Sequence, residues 1–284
     1  MPVRTHANKV RSLDAWSEYL SINPKLPNCH GAQHLNERDS ITDQIVRLKI
    51  MPNSDPAATI FLKSWQVYQK IIASNYMFHR EITQAVKDSL DCFKPDQTLR
   101  LLDLGCGDAS MVLPLLTANR IERYIGCDLS IAALNIAKAS LEAKQIPQDL
   151  LCEDMRITVK EQPDHSCDLV FSSYALHHLE APDKGQIIRE IARVLKPGGK
   201  FVLIDIFREP TETRSDYITH YMAKLNNTWI NLTAIEQALV VNHATTYDFP
   251  ETPDFYEGLF KKSNFMQSQR LTKHTWHEAW IYQR

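Results

Sequence analysis

From about residue 97 onward the chain alternates short apolar runs with helical spacings, and few folds accept that rhythm. The runs are LRLLDL, RYIGCD, DLLCED, CDLVFSS and FVLIDIF. Between them fall Ile131, Leu134, Ala137 and Leu141, spaced for one helical face after a capping Ser130, and then Ile187, Ile191, Val194 and Leu195. Strands separated by helical crossovers build a parallel sheet covered on its faces, so the sequence predicts an α/β fold. A helix is also expected over Ala109–Asn119, with Pro114 close enough to its first turn to be tolerated. LKPGG should close the last crossover helix and turn into the fifth strand.

The flanks differ. Residues 208–245 are polar and aromatic, with Thr233 and Glu236 set as a capping box. DFPETPDF then breaks the chain, Tyr256–Lys262 has helical spacing, and FMQSQRLT with TWHEAWIYQR is expected to form an antiparallel hairpin. Before the sheet, Asp55 and Pro56 would start a helix carrying Ile60, Trp65, Tyr68 and Ile72, and His79–Leu90 would form another. Earlier pieces are interrupted by Pro24, Pro27 and Pro52. We therefore divide the chain into a helical extension or cap, 1–95, and an α/β domain, 96–284, with an insertion at about 208–245.

A length of 284 residues fits one large domain with an added segment. The formal net charge of -2 and the lack of a basic stripe argue against a nucleic-acid partner. No apolar run reaches membrane-spanning length and no signal-peptide pattern opens the chain, so a cytoplasmic protein is expected. Cys106, Cys127, Cys152 and Cys167 sit in or beside apolar runs, as small buried hydrophobes would. Cys29, His30 and His34 lack a second pair of ligands at metal spacing, and no metal is expected.

Function is concentrated in LLDLGCGDAS. Gly105 and Gly107 lie where an open α/β sheet binds ligands, and two bare positions let a ligand touch the main chain. They could also serve only a tight turn. A dinucleotide fingerprint would place its last glycine at Ser110, and Asp103 and Asp108 would repel a pyrophosphate. The acids suit a cationic ligand such as S-adenosylmethionine. Asp128 ends the second strand, where a carboxylate can accept both ribose hydroxyls, or could merely cap a helix. Asp154 and Met155 follow the third, placed for the adenine, and Cys106 and Leu129 complete the expected cofactor contacts.

LLDLGCGDAS, YIGCDLS, CEDM, CDLVFSSYALHHL and LKPGGKFVLIDIF, in this order and spacing over about residues 97–210, resemble the class I S-adenosylmethionine-dependent methyltransferases. ALHHL and LKPGG are most similar to the small-molecule enzymes of ubiquinone and menaquinone biosynthesis. Ala109 departs from the family, whose fullest motif has a third glycine there. The resemblance implies a Rossmann-like, doubly wound, mostly parallel sheet whose last strand inserts antiparallel beside the fifth. It also implies that the main chain at Ser172 and Ser173 meets the cofactor's amino group and that Tyr174, His177 and His178 face the acceptor.

Methyl transfer from a sulfonium yields S-adenosyl-L-homocysteine and needs mainly alignment, with a base where the acceptor carries a proton. Candidate bases are His177, His178 and His243; Asp205 and Arg208 follow the fifth strand and could take a proton or clamp an anion, or pair with each other. Tyr217, His220 and Tyr221 fall in the insertion where relatives build the acceptor pocket, and Tyr68, Tyr76 and His79 are candidates for a lid. SSYA replaces the Pro-Pro-aromatic motif of enzymes that methylate adenine or glutamine nitrogens, and no Pro-Cys dipeptide supplies a cytosine-C5 nucleophile. The expectation is a monomeric or homodimeric enzyme methylating O, N or C of a small molecule. A non-catalytic cofactor-binding sensor or scaffold and an NAD-dependent oxidoreductase are the alternatives.

Overall fold

The computed structural model describes residues 66–90, 98–116 and 120–284. The chain is helical at 66–73 and forms α1 at His79–Leu90 before entering the sheet. Then come β1 (Leu99–Leu104), β2 (Ile121–Asp128), α2 (Ile131–Ala143), β3 (Gln148–Cys152), α3 (Met155–Glu161), β4 (Cys167–Ser173), α4 (Ala181–Val194) and β5 (Leu195–Ile206). Helices α5 (Arg214–Thr228), α6 (Ala234–Tyr247) and α7 (Pro253–Lys262) precede the hairpin of β6 (Gln267–His274) and β7 (His277–Gln283).

The seven strands lie in the order β3-β2-β1-β4-β5-β7-β6. β1 to β5 pair in parallel, and β7 runs antiparallel between β5 and β6. Central strands are buried on both faces: Leu101 and Leu169 point into one core, Leu102 and Val170 into the other. The first core also holds Val67, Ile71, Ile82 and Val86, with Leu134 and Leu141 of α2 and Tyr217 and Tyr221 of α5. Ile187 and Ile191 of α4 with Tyr256 and Phe260 of α7 fill the second. Edge strand β6 is polar, which suits a strand with one unpaired side.

Local chemistry explains most boundaries. Ser130 accepts from the Ala133 N–H, Thr233 and Glu236 form the reciprocal capping box of α6, and Gly198 turns at φ +79. The predicted helix at Ala109–Asn119 is corrected: among its described residues only Leu113–Leu115 form a helical turn, a 3-10 one. Ala109 stands at φ +61, outside the right-handed region a helix start needs. Leu195 leaves its helix for β5. The expectations for Cys29, His30 and His34 and for the helix start at Asp55–Trp65 fall outside the described residues.

Candidate functional site

The strand order reverses between β1 and β4, each joined to the other and to strands running outward, and an open sheet binds ligands beyond its carboxyl ends at such a point. The glycine loop follows β1 there. Gly105 stands at φ +71 and Gly107 at φ +53. Their reasons differ: a Cβ on Gly105 would lie 2.4 Å from the Ala175 Cβ, whereas one on Gly107 meets nothing within 4 Å. Gly105 is demanded by the protein's own packing, and Gly107 stands clear of the described residues around it. Ala109, in the same left-handed region, puts its methyl into the core.

Two carboxylates brace the loop. Asp128 accepts from the Gly107 N–H (2.9 Å) and the Ser130 N–H (2.8 Å), leaving further lone pairs for a diol. Burial raises its pKa against those two donors. Asp103 is 1% exposed and accepts from the Tyr124 hydroxyl at 2.8 Å, while its Oδ1 has no partner among the described residues. Burial pushes its pKa up to about 7. Asp108 accepts from the Ser110 N–H. Cys106 is buried; Leu129, 56% exposed, presents an apolar side chain at the end of β2.

Asp154 is otherwise engaged. It caps α3, accepting from the Arg156 N–H at 2.8 Å, and pairs with the Arg156 guanidinium, which reaches on to Asp183 at 2.7 Å. Met155 brings its methyl to 3.7 Å from the Cβ position of Gly105. Ser172 donates to the Leu104 carbonyl at 2.9 Å and is fully buried, leaving Ser173 as the more open of the pair.

Beyond β4 the structure assembles a cluster. Tyr174 turns the chain at φ +50 and is anchored by its hydroxyl donating to the Met77 carbonyl (2.6 Å). A 3-10 turn at Leu176–His178 follows, and the Nδ1 of buried His177 is hydrogen-bonded to Asp205 at the end of β5. The other His177 nitrogen, Nε2, faces Asp248 Oδ1 at 3.6 Å. His178 Nδ1 and His243 Nε2 approach the same oxygen at 3.5 and 3.6 Å. Main chain fixes the arrangement: the Phe249 N–H donates to the His177 carbonyl (2.7 Å), and buried Lys184 donates to the Phe249 and Leu179 carbonyls. Burial disfavours the His177 imidazolium, but Asp205 and Asp248 outweigh it and raise the pKa. Burial would raise that of Asp248, yet the imidazoles of His177 and His178 hold it at about 2.

An aromatic wall adjoins the cluster. His79 is buried with neither nitrogen hydrogen-bonded among the described residues, and burial lowers its pKa to about 4. Its ring lies 5.3 Å from Tyr174 and 6.3 Å from Tyr68. Tyr68 also feels the charges of Asp108 and Asp128, so it stands close to the glycine loop. His277, kept neutral by burial, touches Tyr174 and Tyr221, and Tyr217 and Tyr221 pack on Trp276. Tyr76 stacks on Trp229 and accepts from the Asn231 N–H, while exposed His220 pairs with Glu212.

Arg208 stands apart from the cluster. Its guanidinium donates to the Pro250 and Glu212 carbonyls and to the Glu251 carboxylate. The Asp205–Arg208 pair weighed from sequence does not form, because Asp205 is committed to His177. Asp248 and Lys184 were missed by sequence reasoning. Some seventy residues separate Asp248 from the His-His pair, and no spacing rule links them.

A profile described as "Methyltransferase domain" matches residues 102–203. The 27-O-demethylrifamycin SV methyltransferase of Amycolatopsis mediterranei is 33% identical over 114 residues, 39% of this chain and 40% of that one. Phosphoethanolamine N-methyltransferase 3 of Arabidopsis thaliana is 27% identical over 200 residues, 66% of this chain and 39% of that one. The chain thus spans less than half the length of these two curated relatives. Among solved structures, a possible exported protein from Bordetella parapertussis shares the fold with a TM-score of 0.54 at 15% identity, covering 87% of this chain and 80% of that one. Residues 102–203 therefore carry a match to a methyltransferase domain, set within the mixed seven-stranded sheet.

Proposed function

We propose that the protein transfers the methyl group of S-adenosylmethionine to a small acceptor bound between the glycine edge and the aromatic wall. One observation carries the reading: on a single sheet edge, a left-handed loop left open at Gly107 is tied to Asp128, with an unpartnered carboxylate oxygen of Asp103 beneath it. These residues fit the donor's polarity, a cationic amino-acid end and a ribose diol without phosphate. Asp128 would hold the diol, the main chain at Gly105–Gly107 and Ser173 the amino-acid end, and Leu129 and Met155 the adenine. Asp154 serves this last contact indirectly, by fixing the start of α3.

When bound, S-adenosylmethionine supplies an electrophilic methyl on sulfur. The protein aligns the acceptor and excludes water, and such orientation is worth about 7 to 11 kcal/mol. Tyr68, His79, Tyr174 and Tyr221 offer flat, largely apolar surface for it. His177, oriented by Asp205, would take the proton of a hydroxyl acceptor. Two relatives are named for small molecules, a demethylated rifamycin and phosphoethanolamine, in keeping with this class of acceptor.

The test is mass spectrometry of a whole-cell extract incubated with the protein and methyl-labelled donor. Label is expected in one small molecule, with stoichiometric S-adenosyl-L-homocysteine. Label in RNA or protein alone would refute the acceptor class.

A further inference from the structure

Asp248 Oδ1 is buried and has no hydrogen-bond partner among the described residues, although three imidazole nitrogens surround it. At 3.5 to 3.6 Å these nitrogens are too distant for good hydrogen bonds. They are close to the spacing of two ligands on one metal: nitrogen and oxygen each about 2.0 to 2.1 Å from a tetrahedral ion lie roughly 3.3 Å apart. One ligand atom from each of His177, His178 and Asp248 falls within 4.8 Å of the other two.

We propose that His177, His178 and Asp248 bind one divalent transition-metal ion, with His243 at the rim as an additional ligand. The surroundings fit. His177 presents Nε2 because its Nδ1 is held by Asp205, the carboxylate–histidine arrangement that orients metal ligands. Phe249 ties Asp248's segment to the His177 main chain, so the ligands from two distant segments are held together. His177 and Asp248 are 5% exposed in their side chains, whereas His178 and His243 are 36% and 51% exposed, which leaves one side of the site open. His178 gives up only a 3.3 Å contact with the Tyr247 carbonyl. Two imidazoles and one carboxylate select zinc, iron or cobalt over magnesium, which prefers an all-oxygen shell.

The inference deepens the proposed function, and rests on it only for the use of the metal. With metal bound, His177 would serve as a ligand in place of the proton acceptor, and an acceptor hydroxyl entering a fifth coordination position would lose its proton to solvent more readily and meet the methyl group as an oxyanion.

The test uses the full chain, stripped with chelator and titrated calorimetrically with zinc, cobalt and magnesium chlorides, with binding of S-adenosylmethionine measured on the same preparations. One equivalent of zinc or cobalt is expected, with visible cobalt bands of low coordination number and much weaker magnesium uptake. His178→Ala and the rim variant His243→Ala should weaken zinc at least tenfold while donor binding persists. Asp205→Asn should weaken it 10- to 100-fold through ligand orientation. Zinc uptake that is absent, or equal in wild type, His178→Ala and Asp248→Asn, would overturn the site, as would magnesium binding as tightly as zinc. Zinc binding without any donor binding would instead refute the methyltransferase reading and leave the metal site standing.

Discussion

The two ends of the proposed reaction are built from different materials. The donor edge at β1 to β3 consists of main-chain turns braced by acids within about fifty residues of sequence. Asp128 is the last residue of β2, and Gly107 and Met155 lie three residues beyond the ends of β1 and β3. Beyond β4 and β5, the acceptor side consists of side chains from distant segments: His177 from one loop, Asp205 from β5, His243 and Asp248 from α6 and its end. A site made of backbone conformation tolerates change around it but not in it. One made of convergent side chains depends on packing to hold its parts.

Perturbing each side separately should expose that contrast. The largest effect is expected at the acceptor side. His177→Ala should lower kcat by about 10²- to 10⁴-fold, the contribution of a positioned proton acceptor, with donor affinity retained. Steady-state kinetics beside donor titration would show it, and a parallel loss of donor binding would mean the two sides are not separable.

The glycines offer a sharper comparison within the donor edge. Gly105→Ala combines a left-handed backbone with a 2.4 Å approach to the Ala175 Cβ, and should destabilise the fold by about 2 to 4 kcal/mol. Gly107→Ala carries only the backbone cost, about 1 to 2 kcal/mol, but should weaken the donor. Urea midpoints and donor titrations on both variants separate a packing glycine from a ligand-facing one. Equal destabilisation would erase the distinction.

The smallest effect is a pH dependence. Burial lifts the Asp103 pKa to about 7, so the folded protein keeps a proton that the unfolded chain releases near its ordinary value of about 4. Stability contributed by the protonated carboxyl is therefore present at low pH and lost as pH rises toward 7. Buried His79 and His277, held neutral in the fold, act in the opposite sense below about pH 6.5. The wild-type minus Asp103→Asn difference in stability should consequently decline between pH 4 and 7, and a flat difference would return Asp103 to an ordinary surface-like acid.

This division also explains what the sequence reveals. Five apolar runs announce five parallel strands, and Ser130 and Thr233 announce two helix starts, because strand burial and capping are local properties. The expected helix after the glycine loop failed for a local reason too: Ala109 takes the backbone conformation that the third glycine of the motif would supply. The acids proposed to hold the donor, Asp103 and Asp128, lie at strand ends, which the sequence marks by itself. Tertiary packing decides the rest, since nothing in YDFP shows that Asp248 will meet His177, and nothing in IFREP shows that Arg208 will turn to Glu251.

The central claim is that a sulfonium donor sits against Gly107 and is held by Asp128. It is tested most directly by calorimetric titration of the wild type and Asp128→Ala with S-adenosylmethionine, and of the wild type with NAD. One donor site per chain is expected, weakened by about 1.5 to 3 kcal/mol in the variant, with no comparable NAD binding. Equal donor affinity in both proteins, or tight NAD binding without donor binding, would contradict the account.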